Sequence, residues 1–407
     1  MKATITSAKL HGDIKAIASK SQAHRMLICA ALSDRPTKII CKERSLDIDA
    51  TAECLRAIGC GIAYDDSEGS FLVTPAEEIN KQAVIDCGES GSTLRFLLPV
   101  VCALGIECTI VMHGRLPERP LSPLWEELEA HGSILKRNPD KTISTSGKLK
   151  GGCFTLAADI SSQFISGILF AMPLIEEKSE LRLTGKVESK KYILMTMDAQ
   201  RMFGVNSNWE EDRLTVPFNT AYSSPGEANV EGDWSNGAFW LSAAKLTGGE
   251  VKCSGLDLNS RQGDKAAAEL IDEIYNGNAV VDAKDVPDLV PVLSVVAAVS
   301  PGVTRFIHAE RLRIKESDRI KTTIAMLKNL GAKCEETEDG IIVTGVRELT
   351  GGIVDSCNDH RIAMSAAIAA IVCSGNVEID GAEAVRKSYP DFWKDYQRLG
   401  GTVTLTD

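Results

Sequence analysis

The stretch Leu327-Lys328-Asn329-Leu330-Gly331-Ala332-Lys333-Cys334 decides how this chain can fold. It ends an amphipathic helical pattern at a glycine and continues at once into a short apolar strand. Glycine directly after a helix supplies the left-handed residue at which helices commonly end. The same arrangement occurs five more times, at Gly59, Gly132, Gly204, Gly277 and Gly400. Most copies are about 70 residues apart, which suits a whole β-α-β-α-β-β unit better than a solenoid repeat.

Each unit also contains a second helical segment, which is rich in small apolar residues and begins with polar ones. These segments are SKSQAHRMLICAAL, ESGSTLRFLLPVVCALG, SSQFISGILFAMPLI, DWSNGAFWLSAAKL, VPDLVPVLSVVAAV and NDHRIAMSAAIAAIV. Helices that are apolar on nearly every side lie inside a core. Their polar starts must then emerge at one end, where unpaired N–H groups attract anions. The pattern predicts an α/β fold with buried central helices and six units, divided into two domains of three.

The composition excludes several classes of protein. A net charge of -11 over 407 residues argues against nucleic acid as a partner, because neutralising phosphates requires a basic face. The sequence shows no signal peptide, and its longest apolar runs fall short of the roughly 20 residues of a membrane helix. The twelve cysteines are scattered without a C-x-x-C pair, which indicates reduced core thiols in a cytoplasmic protein. We expect no metal, no cofactor, no membrane partner and a monomeric state.

One cationic stretch, Arg311-Leu312-Arg313-Ile314-Lys315-Glu316-Ser317-Asp318-Arg319, contrasts with the acidic background. It directly precedes an amphipathic helix, and we expect Ser317 to cap that helix. The cations, the helix dipole and the two carboxylates together indicate an anion-binding site with a group for proton transfer. The alternative is a solvated charged face with ordinary i,i+4 pairing.

Other helix starts offer complementary chemistry. Lys20 and Arg25 flank one start, which suits a phosphate or a carboxylate. The segment 88–95 has glycines that let a ligand approach the backbone, and it ends in an arginine. Residues 161–163 supply three neutral hydrogen-bonding groups, although the serines could equally be plain caps. Asp288 precedes an apolar helix and is either an N-cap or an isolated acid of the site.

Two proline-stiffened loops add cations: residues 113–120, with Arg115 and Arg119, and residues 386–390, with Lys387. Arg361 enters an otherwise apolar helix, which favours a ligand-binding role over surface decoration.

The motifs SKS-x-x-x-R, GESGSTLR, GRLPERP, SSQF, RIKESDR, NDHR and RKSYPD follow one another along the chain. In this order they resemble the EPSP synthase (3-phosphoshikimate 1-carboxyvinyltransferase) family over essentially the whole sequence. The resemblance implies two domains, each with three β-α-β-α-β-β units around a pseudo-threefold axis. It implies an inserted domain, 13–229, and a second domain of 1–12 with 230–407, joined by crossovers near 12 and 229.

The resemblance also implies the reaction, in which the enolpyruvyl group of phosphoenolpyruvate passes to the 5-hydroxyl of shikimate 3-phosphate. Its implied catalytic residues are Asp288 as base, Glu316 as acid and Lys20. The implied shikimate 3-phosphate site consists of Lys20, Ser21, Arg25, Ser161, Ser162, Gln163, Ser189, Asp288 and Lys315. The implied phosphoenolpyruvate site consists of Lys20, Gly91, Arg115, Gln163, Arg319, Arg361 and Lys387.

The sequence departs from the commonest family pattern in three places. Ile17-Ala18 stands where Pro-Gly is usual, and Glu89 and Arg311 stand where asparagine is frequent. Two alternatives remain open at this point: enolpyruvyl transfer to UDP-N-acetylglucosamine, and an inactive anion-binding paralogue. The sister enzyme usually has a cysteine in the loop before Arg115, and this loop has none. An inactive paralogue would be expected to lose some of the cations or acids.

Overall fold

The chain divides into two compact units in a computed structural model that describes residues 1–6 and 9–407. The inserted unit comprises Ala18–Val230, and the terminal unit comprises Met1–Ile17 with Glu231–Asp407. Residues 13–17 belong to the terminal unit because the strand Gly12–Lys15 pairs in parallel with the strand Val251–Ser254.

The helices of the described chain are α1 (Lys20–Ala31), α2 (Leu46–Ala57), α3 (Gly91–Leu104), α4 (Leu124–Ala130), α5 (Ser162–Ala171), α6 (Lys190–Met202), α7 (Trp234–Leu246), α8 (Ala267–Asn276), α9 (Val290–Val299), α10 (Arg319–Asn329), α11 (His360–Ala369) and α12 (Phe392–Arg398). Within the described ranges, no helix is both long and apolar enough to cross a membrane.

The strands are β1 (Lys2–Thr6), β2 (Gly12–Lys15), β3 (Thr37–Ile40), β4 (Gly61–Asp65), β5 (Ser70–Thr74), β6 (Gln82–Asp86), β7 (Glu107–Val111), β8 (Ser133–Arg137), β9 (Ile143–Gly147), β10 (Gly152–Ala157), β11 (Ser179–Thr184), β12 (Asn208–Glu210), β13 (Arg213–Thr215), β14 (Glu227–Asn229), β15 (Val251–Ser254), β16 (Val280–Asp282), β17 (Val303–Ile307), β18 (Lys333–Glu336), β19 (Ile341–Thr344), β20 (Gly352–Asp355), β21 (Val377–Asp380) and β22 (Thr402–Thr406).

The inserted unit contains three four-stranded sheets, with strand orders β14-β3-β5-β4, β6-β7-β9-β8 and β10-β11-β13-β12. In each sheet the first two strands run parallel and the rest form an antiparallel hairpin; β6 and β7, for example, pair with Ile85 opposite Ile110. One helix separates the parallel strands β6 and β7, and one separates β10 and β11, because such a pair needs a crossover connection. In the remaining sheet the end of the unit supplies β14, which pairs in parallel with β3. The predicted β-α-β-α-β-β order is therefore confirmed here.

The terminal unit has two further four-stranded sheets, β16-β17-β19-β18 and β20-β21-β1-β22, and the start of the chain supplies β1 to the second. Its third sheet has only two described strands, β15 and β2, so this repeat is shorter than the sequence pattern predicts. Gly277, at φ 93°, ends α8 and leads directly into β16, the first strand of the next repeat. The chain there has no room for a hairpin.

The helices predicted to be central are the buried ones. Every residue of α11 is buried, and α9 is buried from Val290 to Ala298. α3 and α5 approach each other closely at Gly167, where an added Cβ would collide with the carbonyl oxygen of Arg95. This contact fixes the spacing of the two helices, and the starts of both contribute to the site described next.

Candidate functional site

In the inserted unit, three buried helices begin with the polar groups predicted for them. α3 begins after Ser90, whose Oγ accepts the N–H of Thr93 at 3.2 Å. α5 begins after Ser161, whose Oγ accepts the N–H of Gln163 at 3.3 Å. α1 begins after Ser19, which makes no side-chain cap. Ser161 is thus a helix cap, and its neighbour Ser162 is buried in the first turn.

Lys20, Ser21 and Arg25 lie together on the first turns of α1. Lys20 Nζ is 2.7 Å from Oδ2 of Asp47, and the carbonyl of Ser21 accepts from Nη1 of Arg25 at 2.6 Å. Arg25 also donates from Nε to Oγ1 of Thr196 at 2.8 Å. Burial lowers the pKa of the Arg25 guanidinium to about 10, so the group is still charged at neutral pH.

The start of α3 is surrounded by arginines. A Cβ built on Gly91 would lie 2.8 Å from Nη1 of Arg119 and 2.9 Å from Nη1 of Arg95. Nη1 of Arg95 donates to Oε1 of Gln163 at 2.7 Å, and Nε2 of Gln163 donates to Oγ of Ser92 at 2.9 Å. Because its oxygen faces Arg95, the Gln163 amide presents its nitrogen as the donor. The predicted residues Gly91 and Gln163 therefore belong to one local network.

The structure distinguishes the two arginines of the loop 113–120. Arg119 is buried, with 9% of its surface exposed, and it lies beside Gly91. The Arg115 side chain is 49% exposed and lies 4.0 Å from Glu118. The turn Leu116–Glu118 separates them and directs Arg119 inward. The sequence predicts Arg115 for the phosphoenolpyruvate site, whereas Arg119 and Arg95 are the arginines that lie beside Gly91.

Ser189 lies at the start of α6 in the left-handed region, at φ 52°, and is buried. Its predicted ligand role stays a prediction.

Asp288 is at the centre of the site of the terminal unit. Its Oδ1 lies 2.6 Å from Nη1 of Arg319 and 3.4 Å from Nζ of Lys315. Its Oδ2 lies 3.6 Å from Nη2 of Arg361. Asp288 lies inside the turn Pro287–Leu289 and makes no cap hydrogen bond there, so the N-cap alternative is wrong.

Arg319 is held by two further carboxylates. Nε donates to Oδ2 of Asp359 at 2.8 Å, and Nη2 donates to Oε2 of Glu316 at 2.6 Å. Asp359 also caps α11 by accepting the N–H of Arg361 at 2.9 Å. Sequence reasoning placed Asp359 only at a helix start and missed this contact. The sequence shows only an acid two residues before Arg361 at the start of an apolar helix, which does not identify its partner.

The cap of α10 differs from the prediction. Asp318 accepts the N–H of Lys321 at 3.3 Å, whereas Ser317 donates to Oδ2 of Asp359 at 3.0 Å. The helix begins one residue later than expected, at Arg319, and Ser317 therefore turns toward the buried carboxylate. The prediction that Ser317 caps this helix is wrong.

Burial and the neighbouring charges act in opposite directions on the pKa values of Asp288, Lys315 and Arg319. Burial would raise the pKa of Asp288, but Arg361, Lys315 and Arg319 together hold it well below its ordinary value. Burial lowers the pKa of Lys315, and Asp288 partly offsets this. Burial would likewise lower the pKa of Arg319, but Asp359, Glu316 and Asp288 raise it.

Arg361 and Lys387 complete the predicted set in this unit. Arg361 donates from Nη1 to the carbonyl of Asp288 at 3.0 Å and from Nη2 to Oγ of Ser235 at 2.6 Å. Lys387 donates to the carbonyl of Asn358 at 2.6 Å. The structure thus brings Asp288, Lys315, Glu316, Arg319 and Arg361 into one network, with Lys387 bonded to the residue before Asp359.

Both sites are suited to anions and to proton transfer. Guanidinium groups bind phosphates and carboxylates, and a carboxylate among them can move a proton. No group of three His, Cys, Asp or Glu side chains in 1–6 and 9–407 is arranged to hold a metal ion.

Known proteins with similar sequences share one description. The sequence profile of the family "EPSP synthase (3-phosphoshikimate 1-carboxyvinyltransferase)" matches residues 5–396. A 3-phosphoshikimate 1-carboxyvinyltransferase from Clostridium perfringens is 43% identical and covers 99% of each chain. The protein of the same name from Clostridium acetobutylicum is 40% identical, over 97% of this chain and 96% of its own. A solved EPSP synthase from Acinetobacter baumannii has the same fold, with a TM-score of 0.80, 23% identity and full coverage of both chains.

Proposed function

The chain belongs to the EPSP synthase (3-phosphoshikimate 1-carboxyvinyltransferase) family, and on that premise we propose a chemical role for each group of its two sites. The enzyme transfers the enolpyruvyl group of phosphoenolpyruvate to the 5-hydroxyl of shikimate 3-phosphate and releases phosphate. The observation that carries the assignment is Asp288, an ionised acid that contacts Lys315, Arg319 and Arg361.

The reaction proceeds by addition and then elimination. A proton is added to the methylene carbon of phosphoenolpyruvate, and the 5-hydroxyl attacks the adjacent carbon as its own proton leaves. The tetrahedral ketal then loses phosphate, and a proton leaves the new methyl group to regenerate the vinyl group. Each proton transfer needs a side chain within hydrogen-bond reach, which contributes about 10²–10⁴-fold in rate.

We assign the hydroxyl proton to Asp288 and the methylene proton to Glu316, with Lys20 as a further catalytic group. Before substrate binds, the surrounding cations make Asp288 a weak base, because they hold its pKa low. A substrate phosphate or carboxylate on Arg319 and Arg361 would compete with Asp288 for these cations. Its pKa would then rise toward the range in which a carboxylate accepts a proton readily.

We assign the anionic groups of the substrates to cations and polar groups of the two units. The shikimate 3-phosphate set is Lys20, Ser21, Arg25, Ser161, Ser162, Gln163, Ser189, Asp288 and Lys315. The phosphoenolpyruvate set is Lys20, Gly91, Arg119, Gln163, Arg319, Arg361 and Lys387. Arg119 replaces Arg115 in this set because Arg119 is buried beside Gly91, whereas half of Arg115 is exposed.

A phosphate-release assay tests the proposal. Purified protein with phosphoenolpyruvate should release phosphate only when shikimate 3-phosphate is added, and mass spectrometry should find the enolpyruvyl ether. Shikimate without its phosphate is the matched control. Release that depends on UDP-N-acetylglucosamine would instead support the sister reaction, and release with neither acceptor would contradict both.

We also propose that the enzyme works as a cytoplasmic monomer on these small molecules, without a nucleic acid or membrane partner. Nine of its twelve cysteines are buried as free thiols, which is typical of proteins in reducing compartments. Light scattering at assay concentration and fractionation of cells test the two statements separately. A dimeric mass, or recovery outside the cytoplasm, would contradict the corresponding one.

A further inference from the structure

His24 is a completely buried titratable group to which the proposed chemistry gives no role. It lies on α1 next to Arg25, and none of its surface is exposed. Its ring meets that of Phe96 edge-on, with centroids 6.4 Å apart and an interplanar angle of 83°. A leucine would fill such a position without placing polar atoms in the core.

A chain of hydroxyl groups connects His24 to the start of α3. His24 Nδ1 lies 2.7 Å from Oγ1 of Thr51 on α2, and that atom lies 2.7 Å from Oγ1 of Thr93 on α3. Thr93 Oγ1 donates to Oγ of Ser90 at 2.7 Å. All four side chains are buried. The chain therefore runs across three helices of the inserted unit and ends at the residue that caps α3.

The single proton of each hydroxyl fixes the direction of the chain. Thr93 uses its proton toward Ser90, so its oxygen accepts from Thr51. Thr51 has then used its own proton, and the remaining donor is Nδ1–H of His24. Burial, Lys20 and Arg25 lower the pKa of His24 well below its ordinary value, which keeps the ring neutral. Nδ1 is therefore the protonated nitrogen.

The second ring nitrogen of His24, Nε2, argues against a role in packing alone. Nε2 of His24 is buried and has no hydrogen-bond partner among the described residues. An unsatisfied buried acceptor costs about 1–3 kcal/mol, so histidine is a poor choice for packing alone. The useful property that remains is the Nδ1–H donor to Thr51. This donor connects α1, which begins with Lys20 and Ser21, to α3, which begins with Gly91.

We propose that His24 is a positioning residue whose donor, relayed through Thr51 and Thr93, fixes the start of α3 relative to the start of α1. The inference rests on the proposed function, because it requires that groups on both helix starts bind substrate. Misplacing a substrate by about 1 Å can cost on the order of 10²-fold in rate. This chain of hydrogen bonds keeps the helix starts at Lys20 and Gly91 in fixed positions relative to each other without contacting substrate.

Two variants separate positioning from packing. His24→Leu keeps the volume and removes the donor, and we expect kcat/KM for phosphoenolpyruvate to fall by about 10–100-fold. His24→Asn places an amide nitrogen near the position of Nδ1, and it should restore most of that loss. His131→Leu is the matched control, because His131 stacks on Phe154 in the same unit but is not part of the chain. It should leave the kinetic constants unchanged.

A double-mutant cycle tests the relay itself. If His24 acts through Thr93, His24→Leu combined with Thr93→Val should be little worse than either single variant. Additive losses would overturn the proposal, as would His24→Leu with a lower melting temperature and unchanged kinetic constants. Thr51→Val replaces His24→Leu if that variant does not fold. Calorimetry compares phosphoenolpyruvate binding by the wild type and the variants without requiring turnover. If the wild type binds phosphoenolpyruvate but does not turn it over, the proposed function is refuted, and the effect of His24 on binding can still be tested.

Discussion

Arg319 donates from Nη1 to Oδ1 of Asp288 over 2.6 Å, and the two side chains are 1% and 21% exposed. The neighbouring charges of the two side chains have opposite signs. Arg319 also contacts the carboxylates of Asp359 and Glu316, whereas Asp288 also faces Lys315 and Arg361. Losing the Asp288 charge leaves Arg319 with two ionic partners. Asp288 therefore contributes more to the chemistry than to the fold.

Replacing Asp288 by asparagine should lower kcat by about 10²–10⁴-fold, because the amide cannot accept the hydroxyl proton. Steady-state kinetics and thermal unfolding should be measured on the same preparations. Asp282→Asn is the matched control, because Asp282 contacts Lys284 and His308 outside the network. A large fall in melting temperature with nearly normal kcat would show that Asp288 is structural.

The same variant exposes a pH dependence of stability. The cations hold the pKa of folded Asp288 well below its ordinary value, so its stabilisation is complete above the unfolded pKa of about 4. That contribution is lost as the pH falls through the folded pKa. The difference in unfolding free energy between wild type and Asp288→Asn should be constant from about pH 5 to 7 and shrink below about pH 4. Urea unfolding at each pH measures it, and a difference that stays constant down to pH 3 would contradict the depressed pKa.

The repeated units were predictable because their signals are local. A glycine after a helix and a helix apolar on all sides each follow from a few adjacent residues, and five of six units formed as expected. The remaining unit, which contains β2 and β15, has no hairpin because the segment between Gly277 and β16 is too short to form one. A helical pattern ending in glycine cannot show whether the following strand closes one unit or opens the next.

The site was less predictable because side-chain direction depends on tertiary contacts. Arg115 and Arg119 share one proline-rich loop, and only the turn between them decides which one is buried. Ser317 and Asp318 are both good caps, but Asp359 draws Ser317 away from the helix. Asp359 lies just before α11, about 40 residues further along the chain, so no local pattern could reveal that contact.

The two arginines of this loop should differ in function. Arg119→Met should raise KM for phosphoenolpyruvate by about tenfold or more, because a charged hydrogen bond to a buried anion contributes roughly 1.5–3 kcal/mol. Arg115→Met is the matched control and should change KM little, since Arg115 is half exposed and faces Glu118. The reverse ranking in steady-state kinetics would identify Arg115 as the phosphoenolpyruvate ligand.

Gly91 should tolerate a methyl group structurally but not functionally. In Gly91→Ala the new Cβ would meet Nη1 of Arg95 and of Arg119 at 2.9 and 2.8 Å, so both flexible ends must shift. We expect a higher KM for phosphoenolpyruvate and a melting temperature close to that of the wild type. Gly61→Ala, at an exposed position of β4, is the control for a general effect of adding a methyl group. Equal kinetic constants in both variants would mean that the arginines near Gly91 do not bind substrate.

Glu316 should prove to be the group that protonates the methylene carbon. Its Oε2 accepts from Nη2 of Arg319 at 2.6 Å, and glutamine can keep that hydrogen bond through its amide oxygen while losing the exchangeable acid. Glu316→Gln should therefore lower kcat by at least about tenfold and change substrate binding much less. Exchange of solvent deuterium into the methylene group, followed by mass spectrometry, isolates this step. Glu310→Gln, an exposed change in the same segment, is the control. If deuterium enters at the wild-type rate in Glu316→Gln, the proton comes from another group, and the acid must be sought among the remaining side chains around Arg319.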